Sequence, residues 1–163
     1  MDITLHTAWT PGAIGDIAAL HARHYADSHG FGAFFEAKVA RELGDFILRF
    51  DPARDLFRCA TGQGRVLGSL VLDCGEDPDS AHLRWFIMDP ALRGRGLGRR
   101  WLDEAIALAR RIGAPQIHLW TLADLDAAAH LYAAAGFTLT DEVEAEQWGR
   151  RVIERRLVLP LTA

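Results

Sequence analysis

A segment rich in glycine and arginine, Arg93-Gly94-Arg95-Gly96-Leu97-Gly98, holds the residue types best suited to binding a diphosphate. Glycine allows backbone conformations with positive φ, so successive N–H groups can point at one anion. A strand-like apolar run, residues 83–88, precedes the segment, and a helix-like run, residues 99–112, follows it. The N-terminus of that helix would add unpaired N–H groups and the positive end of its dipole. The pattern therefore predicts a phosphate-binding loop between a strand and a helix.

Three known kinds of diphosphate-binding loop can be compared with this segment, and two of them match its sequence poorly. A Walker A loop ends in Gly-Lys-Ser/Thr, whereas this chain has Gly98-Arg99-Arg100. A dinucleotide-binding fingerprint has the spacing Gly-x-Gly-x-x-Gly, whereas the glycines here stand at 94, 96 and 98. The third, Arg/Gln-x-x-Gly-x-Gly/Ala, is matched at every fixed position. It holds the pyrophosphate of coenzyme A in GCN5-related N-acetyltransferases (GNAT), which this segment resembles. A tight turn with solvated arginines is the remaining alternative.

A second motif, Leu131-Tyr132-Ala133-Ala134-Ala135-Gly136-Phe137, lies one helix and one strand after the first. Taken alone, it predicts an alanine-rich helix that ends at a glycine cap. Together with the first motif it resembles the Leu-Tyr-x-x-x-Gly-Phe segment of the GNAT family. The resemblance implies the GNAT fold, acetyl-CoA as the thioester donor, and Tyr132 as the acid that protonates the leaving thiolate.

The resemblance covers nearly the whole chain, is strongest over residues 81–137 and is weak before residue 50. More narrowly, the chain resembles the acetyltransferase half of bacterial proteins that fuse a MarR-type regulator to such a domain. The segments that carry this narrower resemblance are His29-Gly30-Phe31, Phe35-Glu36, Phe50-Asp51-Pro52-Ala53-Arg54, Leu83-Arg84 and Leu119-Trp120-Thr121. Because no helix-turn-helix pattern precedes Ile3, we do not expect a regulator's function to carry over.

The resemblance also implies where the cofactor binds. The strand before the loop, the loop itself and the tyrosine helix would contact it, through Phe86, Ile87, Met88, Arg93, Gly94, Arg95, Gly96, Leu97, Gly98, Arg99, Asp124, Ala128 and Tyr132. In the family, a strand N–H freed by a β-bulge polarises the thioester carbonyl. In this chain that N–H would lie among residues 86–88. Many relatives carry Asn at the start of the tyrosine helix, where this chain has Asp124.

The general base is the least determined part of the predicted site. The attacking amine must be neutral, yet an alkylamine has a pKa of about 10, so some group must accept its proton. Many relatives carry Glu eight residues before the proline that precedes the loop. His82 stands there, and its ordinary pKa of about 6.5 suits neutral pH. Glu36 on the second predicted helix is the second candidate, and His29 is the third. If His82 is not a base, it is a histidine that hydrogen-bonds on the sheet surface. If Glu36 is not a base, it is a solvated charge on a helix.

The acceptor is not determined by these motifs. Six aromatic residues could line an apolar pocket or hold a cation, or could simply pack in the core: Phe31, Phe34, Phe35, Trp85, Trp120 and Trp148. An acidic run, Glu142, Glu144 and Glu146, could attract a cationic amine or form a solvated hairpin. We expect a small-molecule primary amine, while an amino acid, an antibiotic and a protein lysine or N-terminus stay open. A different class of function, a non-catalytic acyl-CoA sensor, also stays open.

Composition narrows the function classes further. The chain has 163 residues, which predicts one domain over residues 1–163. Its net charge of −4 argues against a nucleic-acid partner, and no apolar run or signal-peptide pattern indicates a membrane or secretion. Two cysteines, Cys59 and Cys74, are too few for a disulfide framework. We therefore expect a cytoplasmic protein, and no ligand spacing predicts a metal.

The elements that must position these residues follow from hydrophobic periodicity. Strands are predicted at 3–7, 56–61, 65–73, 81–88, 116–121, from 137, and at 151–159, with helices at 16–27, 34–50, 99–112 and from 124 or 126 to 135. The order β-α-α-β-β-β-α-β-α-β-β predicts an α/β fold with a mixed sheet and helices on both faces. Arginines at 150, 151, 155 and 156 suggest that the last strand is an exposed edge; strand edges can mediate pairing, so an interaction role and a homodimer stay open.

Overall fold

The computed structural model describes residues 1–162, which form four α-helices and seven β-strands. The strands are β1 Thr4–His6, β2 Leu56–Gly62, β3 Arg65–Asp73, β4 Ala81–Met88, β5 Gln116–Leu122, β6 Thr138–Ala145 and β7 Val152–Pro160. The helices are α1 Ala13–His29, α2 Ala33–Arg49, α3 Leu97–Arg111 and α4 Asp126–Ala135, and a short 3-10 helix spans Pro90–Leu92. The predicted order of elements and the α/β class with a mixed sheet are confirmed.

All seven strands form one sheet in the order β1-β2-β3-β4-β5-β7-β6. Neighbouring strands are antiparallel except for β4 and β5, which are parallel because the crossover helix α3 connects them. The prediction that the last strand forms an exposed edge is wrong. β7 pairs with β5 on one side and β6 on the other, so β6 is the edge strand. Hairpin geometry places β6 outermost because β7 returns antiparallel into the position next to β5.

The ladder between β4 and β5 covers two residue pairs, Ala81–Ile117 and His82–His118. Beyond these pairs the two strands separate, and both line one cavity from Leu83 to Phe86 and from Leu119 to Leu122. The sheet therefore has an opening at its centre, at the carboxyl ends of its only parallel pair among residues 1–162. This is the position at which open α/β sheets commonly bind ligands.

The centre of the sheet is buried on both faces, and β3 shows why. Leu70 and Leu72 pack into a core with Trp101 and Leu102 of α3, whereas Val71 packs into a second core beneath α1 and α2. Successive side chains of a strand point to opposite faces, so one strand supplies both cores. The two cores hold the helices that flank the central opening.

Candidate active site

The loop between β4 and α3 has the geometry of an anion site. Gly94 and Gly96 have φ of 75° and 69°, a region that other residues rarely adopt. A Cβ added at either glycine would meet nothing within 4 Å, so the loop backbone is open to a ligand. The first helical bond of α3 runs from Arg100 N to Gly96 O at 3.0 Å. The three N–H groups before Arg100 therefore lack a partner inside the helix and can bind phosphate oxygens.

The third glycine of the loop has a different role, because it lets α3 approach β4. A Cβ at Gly98 would lie 3.3 Å from Cζ of Phe86 and 3.7 Å from Cε of Met88. The ring of Phe86 in turn meets Tyr132 of α4 edge to face, with ring centroids 6.3 Å apart. Gly98 thus brings the loop, the strand and the tyrosine helix together at the central opening.

A β-bulge lies in β4 next to this opening. Ser69 of β3 pairs with Ile87, but Val71 pairs with Arg84, so β4 carries one extra residue between those positions. Trp85 there has φ of 46°, which is unusual for a bulky residue. The Oγ of Ser69, a residue with no exposed surface, donates to the carbonyl of Trp85 at 2.6 Å. The bulge is at Trp85 and Phe86, so it begins one residue before the predicted range 86–88, and a bulge leaves backbone groups unpaired.

The opening leads into a cavity of about 430 Å³. Its walls come from β4, β5 and α4 on one side and from α1, α2 and the β6–β7 hairpin on the other. Ala128 and Tyr132 line it from α4. A volume of this size is typical of a site for a small molecule.

Tyr132 lines the cavity beside Phe86 and is buried, with 7% of its surface exposed. Burial, with a smaller contribution from Tyr25, raises the pKa of the Tyr132 hydroxyl well above its ordinary value. The hydroxyl therefore stays protonated across the neutral range and can act as a hydrogen-bond donor. Its ring is held by Phe137, with ring centroids 5.7 Å apart.

A sequence model of the acetyltransferase (GNAT) family matches residues 15–137, which include the loop, the bulge and the tyrosine helix. The chain belongs to the acetyltransferase (GNAT) family.

Relatives of this family member differ in length from it. It is 26% identical over 153 residues to the uncharacterised N-acetyltransferase MJ1207 of Methanocaldococcus jannaschii, covering 90% of this chain and 64% of the relative. It is 31% identical over 122 residues to a mycothiol acetyltransferase of Beutenbergia cavernae, covering 74% of this chain and 39% of the relative. The chain thus spans less than two thirds of both relatives. The structure of yncA from Salmonella typhimurium with its cofactor acetyl-CoA has a TM-score of 0.67 at 19% identity, covering 100% of this chain and 96% of that one.

His82 lines the cavity but does not have the properties expected of a base with an ordinary pKa. Its ring stacks on His118 of the neighbouring strand at 4.3 Å, and its Nδ1 lies 3.3 Å from Glu76. Burial is the largest cause that lowers the pKa of His82, and together with the charges of Arg84 and His118 it brings that pKa to about 3. His82 is therefore neutral at pH 7. If Nδ1–H donates to Glu76, Nε2 is left as a hydrogen-bond acceptor.

Glu36, the second base candidate, is exposed and does not line the cavity. The same helix presents Phe35, Lys38, Val39 and Glu42 to it instead. Glu42 accepts hydrogen bonds from both Lys38 and Arg84. Burial raises the pKa of Glu42, but these two cations outweigh burial and the net pKa lies below its ordinary value. Glu42 was not among the sequence-predicted site residues, although its spacing of seven residues from Phe35 places both on one helical face.

The third base candidate is also engaged elsewhere. His29, buried at the end of α1, donates from Nε2 to Asp124 at 3.1 Å, and its Nδ1 lies 2.6 Å from Ser28 Oγ. The hydrogen bond from His29 lowers the pKa of Asp124. Asp124, predicted to contact the cofactor, therefore ties the β5–α4 connection to α1 and does not line the cavity.

Three of the six candidate aromatic residues form a cluster at the far end of the cavity. Phe31, Phe35 and Trp148 lie with ring centroids 5.1 to 6.1 Å apart, and Tyr25 packs against the two phenylalanines. Trp85 and Trp120 also line the cavity, whereas Phe34 is exposed and does not. The acidic run is neutralised outside the cavity, since Arg155 pairs with Glu142, and Arg151 pairs with Glu144 and Glu146.

The β6–β7 hairpin is docked onto the turn between α1 and α2. The carbonyl of Trp148 accepts a hydrogen bond from Gly32 N at 2.8 Å. Gly149 has φ of 117°, and a Cβ there would lie 2.9 Å from the carbonyl oxygen of Gly30. Only glycine allows this approach, and the approach holds Trp148 over the cavity.

Neither a metal site nor a reactive cysteine is indicated within residues 1–162. No group of three or more His, Cys, Asp or Glu side chains in that range could hold a metal ion. Burial raises the pKa of Cys59 to about 11 and that of Cys74 to about 12, so both stay thiols at neutral pH. None of the described helices is long and apolar enough to cross a membrane.

Proposed function

We propose that the chain transfers an acetyl group from acetyl-CoA to the primary amine of a small molecule. The observation that carries this proposal is that the open glycine loop follows β4 directly, and that the bulge of the same strand, at Trp85 and Phe86, lines the cavity. Family membership and the similarity to a structure that holds acetyl-CoA support it. The cavity volume of about 430 Å³ favours a small acceptor.

The residues present fit coenzyme A. The backbone of Gly94 to Gly98 and the first turn of α3 would hold the pyrophosphate, with Arg93, Arg95 and Arg99 adding charge. Phe86 to Met88 of β4 and Ala128 of α4 would hold the pantetheine arm in the central opening. When bound, acetyl-CoA supplies an activated acetyl thioester.

The chain's own groups then perform three tasks. A backbone N–H freed by the bulge at Trp85 and Phe86 donates to the carbonyl oxygen, where negative charge develops. The hydroxyl of Tyr132 donates its proton to the departing sulfur. Neutral His82 accepts a hydrogen bond from the amine or from a water beside it, and solvent removes the proton, because a group with a pKa of about 3 retains none at pH 7.

The test pairs two substitutions that make the same change in different places. Gly96 and Gly64 both have positive φ, of 69° and 73°, and both have open space around an added Cβ. Gly96→Glu puts an anion in the phosphate site, whereas Gly64→Glu puts it in the β2–β3 turn. We expect calorimetry to show no acetyl-CoA binding for Gly96→Glu and unchanged affinity for Gly64→Glu. Equal affinity in both folded variants would overturn the loop assignment.

Activity is tested separately by thiol detection of released coenzyme A with a panel of amines. Amine-dependent release supports the transferase. Tight acetyl-CoA binding without release for any amine would favour the non-catalytic sensor. The narrower resemblance to MarR-fused acetyltransferases, the cytoplasmic location and the homodimer stay predictions.

A further inference from the structure

Glu154 of β7 is a cavity carboxylate whose charge no neighbouring cation balances. It lines the cavity and is half-buried. Its Oε1 accepts a hydrogen bond from Nε1 of Trp148 at 2.5 Å. Within the described part of the chain, no lysine, arginine or histidine nitrogen lies within ion-pair distance of it. A partly desolvated carboxylate with one neutral donor retains the capacity to bind a cation.

The two cations of the cavity are already engaged. Lys38 and Arg84 both bond to Glu42. Arg84 also has carboxylate oxygens of Asp73 and Glu76 at 3.9 Å each. Neither cation forms an ion pair with Glu154, which is left, among the described residues, as the cavity carboxylate without a cationic partner.

Glu154 stands apart from the reacting centre. It pairs with Leu122 of β5. Leu122 lies four residues after His118, the partner of His82, and Phe86 of the bulge lies four residues after His82, so Leu122 is level with the bulge. Neighbouring strands are about 4.8 Å apart, and β4 and β5 are more widely separated here, so the backbone of Glu154 lies roughly 10 Å or more from the bulge. This backbone position, one strand beyond β5, suits a second group of the same acceptor better than the nitrogen that attacks the thioester.

The wall near Glu154 is apolar and aromatic. Tyr25, Phe35 and Trp148 line it, and their rings suit a hydrocarbon chain or the face-on approach of an organic cation. We infer that the acceptor carries a second, cationic nitrogen that binds Glu154, so that the substrates are diamines; this inference rests on the proposed acetyl transfer in the same cavity.

The experiment compares cadaverine with pentylamine, which has the same chain length but a single nitrogen. Binding to the protein saturated with coenzyme A is measured by calorimetry, and turnover by thiol release. The variant is Glu154→Gln, which keeps an acceptor for the Trp148 indole and removes the charge. The control is Glu144→Gln, the same change on β6, where the side chain is exposed and paired with Arg151.

We expect the wild type and Glu144→Gln to bind cadaverine about 10- to 100-fold more tightly than pentylamine, the value of a hydrogen bond to a charged group. In Glu154→Gln this ratio should fall to about one, with pentylamine binding and acetyl-CoA affinity unchanged. A wild type without the preference, or a preference that survives Glu154→Gln, overturns the inference. Diamine-selective binding without turnover would uphold the inference and refute the transferase, whereas unselective turnover would do the reverse.

Discussion

The hydroxyl of Ser69 is predicted to keep the bulge in β4 in its active conformation, and Ser69→Ala tests this. Trp85 has φ of 46°, a conformation that costs about 1–3 kcal/mol for a residue with a side chain. The 2.6 Å bond from the buried Ser69 hydroxyl to the Trp85 carbonyl offsets that cost. Its removal leaves a buried carbonyl without its partner, which costs about 1–3 kcal/mol.

Two effects of different size follow from this loss. A loss of about 2 kcal/mol lowers the melting temperature of a domain of this size by roughly 4–8 °C. The same loss shifts the balance between the bulged strand and a relaxed one by about 30-fold, since about 1.4 kcal/mol is a factor of ten. We therefore expect kcat to fall about 10- to 100-fold, below the full loss of an oxyanion donor, which is about 10²–10³-fold.

The assay measures kcat and KM by thiol release, the Kd of acetyl-CoA by calorimetry, and hydrogen exchange of the Phe86 amide. Thr61→Val is the control, because it removes the 2.8 Å bond to His6 near the far edge of the sheet. Both variants should lose stability, but only Ser69→Ala should lose kcat, with KM for acetyl-CoA unchanged. The reasoning is refuted if Ser69→Ala melts lower and yet retains kcat to within about twofold.

Two further predictions concern the groups that handle protons. Tyr132→Phe keeps the ring against Phe86 and Phe137 and removes the hydroxyl, so kcat should fall about 10²-fold or more while acetyl-CoA affinity stays the same; unchanged turnover would assign the proton to water or another group. For His82, the pKa of about 3 predicts that kcat/KM follows the amine's own ionisation and shows no inflection near 6.5. An inflection there that disappears in His82→Gln would contradict this. Because the folded pKa lies below the ordinary 6.5, the unfolded chain binds the extra proton, so stability falls as pH drops from about 6.5 to about 3, and less so in His82→Gln. His21, whose pKa burial lowers to about 4, retains part of that acid sensitivity, which thermal melts across this range would measure.

The parts of the fold and site that are local in sequence were predictable. The strand, glycine loop and helix from residue 81 to 112 are recognisable because the hydrophobic period changes from that of a strand to that of a helix, and because the glycines between them indicate a tight turn. The order of the remaining elements followed from the same periodicity. The sheet order did not, because the insertion of β7 between β5 and β6 depends on pairing between strands that are not consecutive.

The parts that depend on distant neighbours were not predictable. The low pKa of His82 arises first from burial, which depends on the elements packed around it, and then from the charges of Arg84 on the same strand and His118 on the next strand. The positive φ of Trp85 has no signal in the sequence, since bulky residues rarely adopt it. Glu36 and Glu42 lie on one helix, and only its rotation against the sheet decides which carboxylate faces the cavity. Hydrophobic periodicity shows that this segment is a helix, but it is less reliable about which side of the helix faces the sheet.

The docking of Trp148 and Gly149 onto the α1–α2 turn has a consequence for the order in which the site assembles. The phosphate loop, the bulge and Tyr132 come from one stretch of about fifty residues, whereas the acceptor wall joins residue 32 to residue 148. Closing so long a loop costs more chain entropy, and contacts between distant segments tend to form late in folding. We expect the acceptor wall to be the last part of the site to form and the first to open. Mild denaturant should therefore abolish discrimination between amines before it weakens the binding of acetyl-CoA.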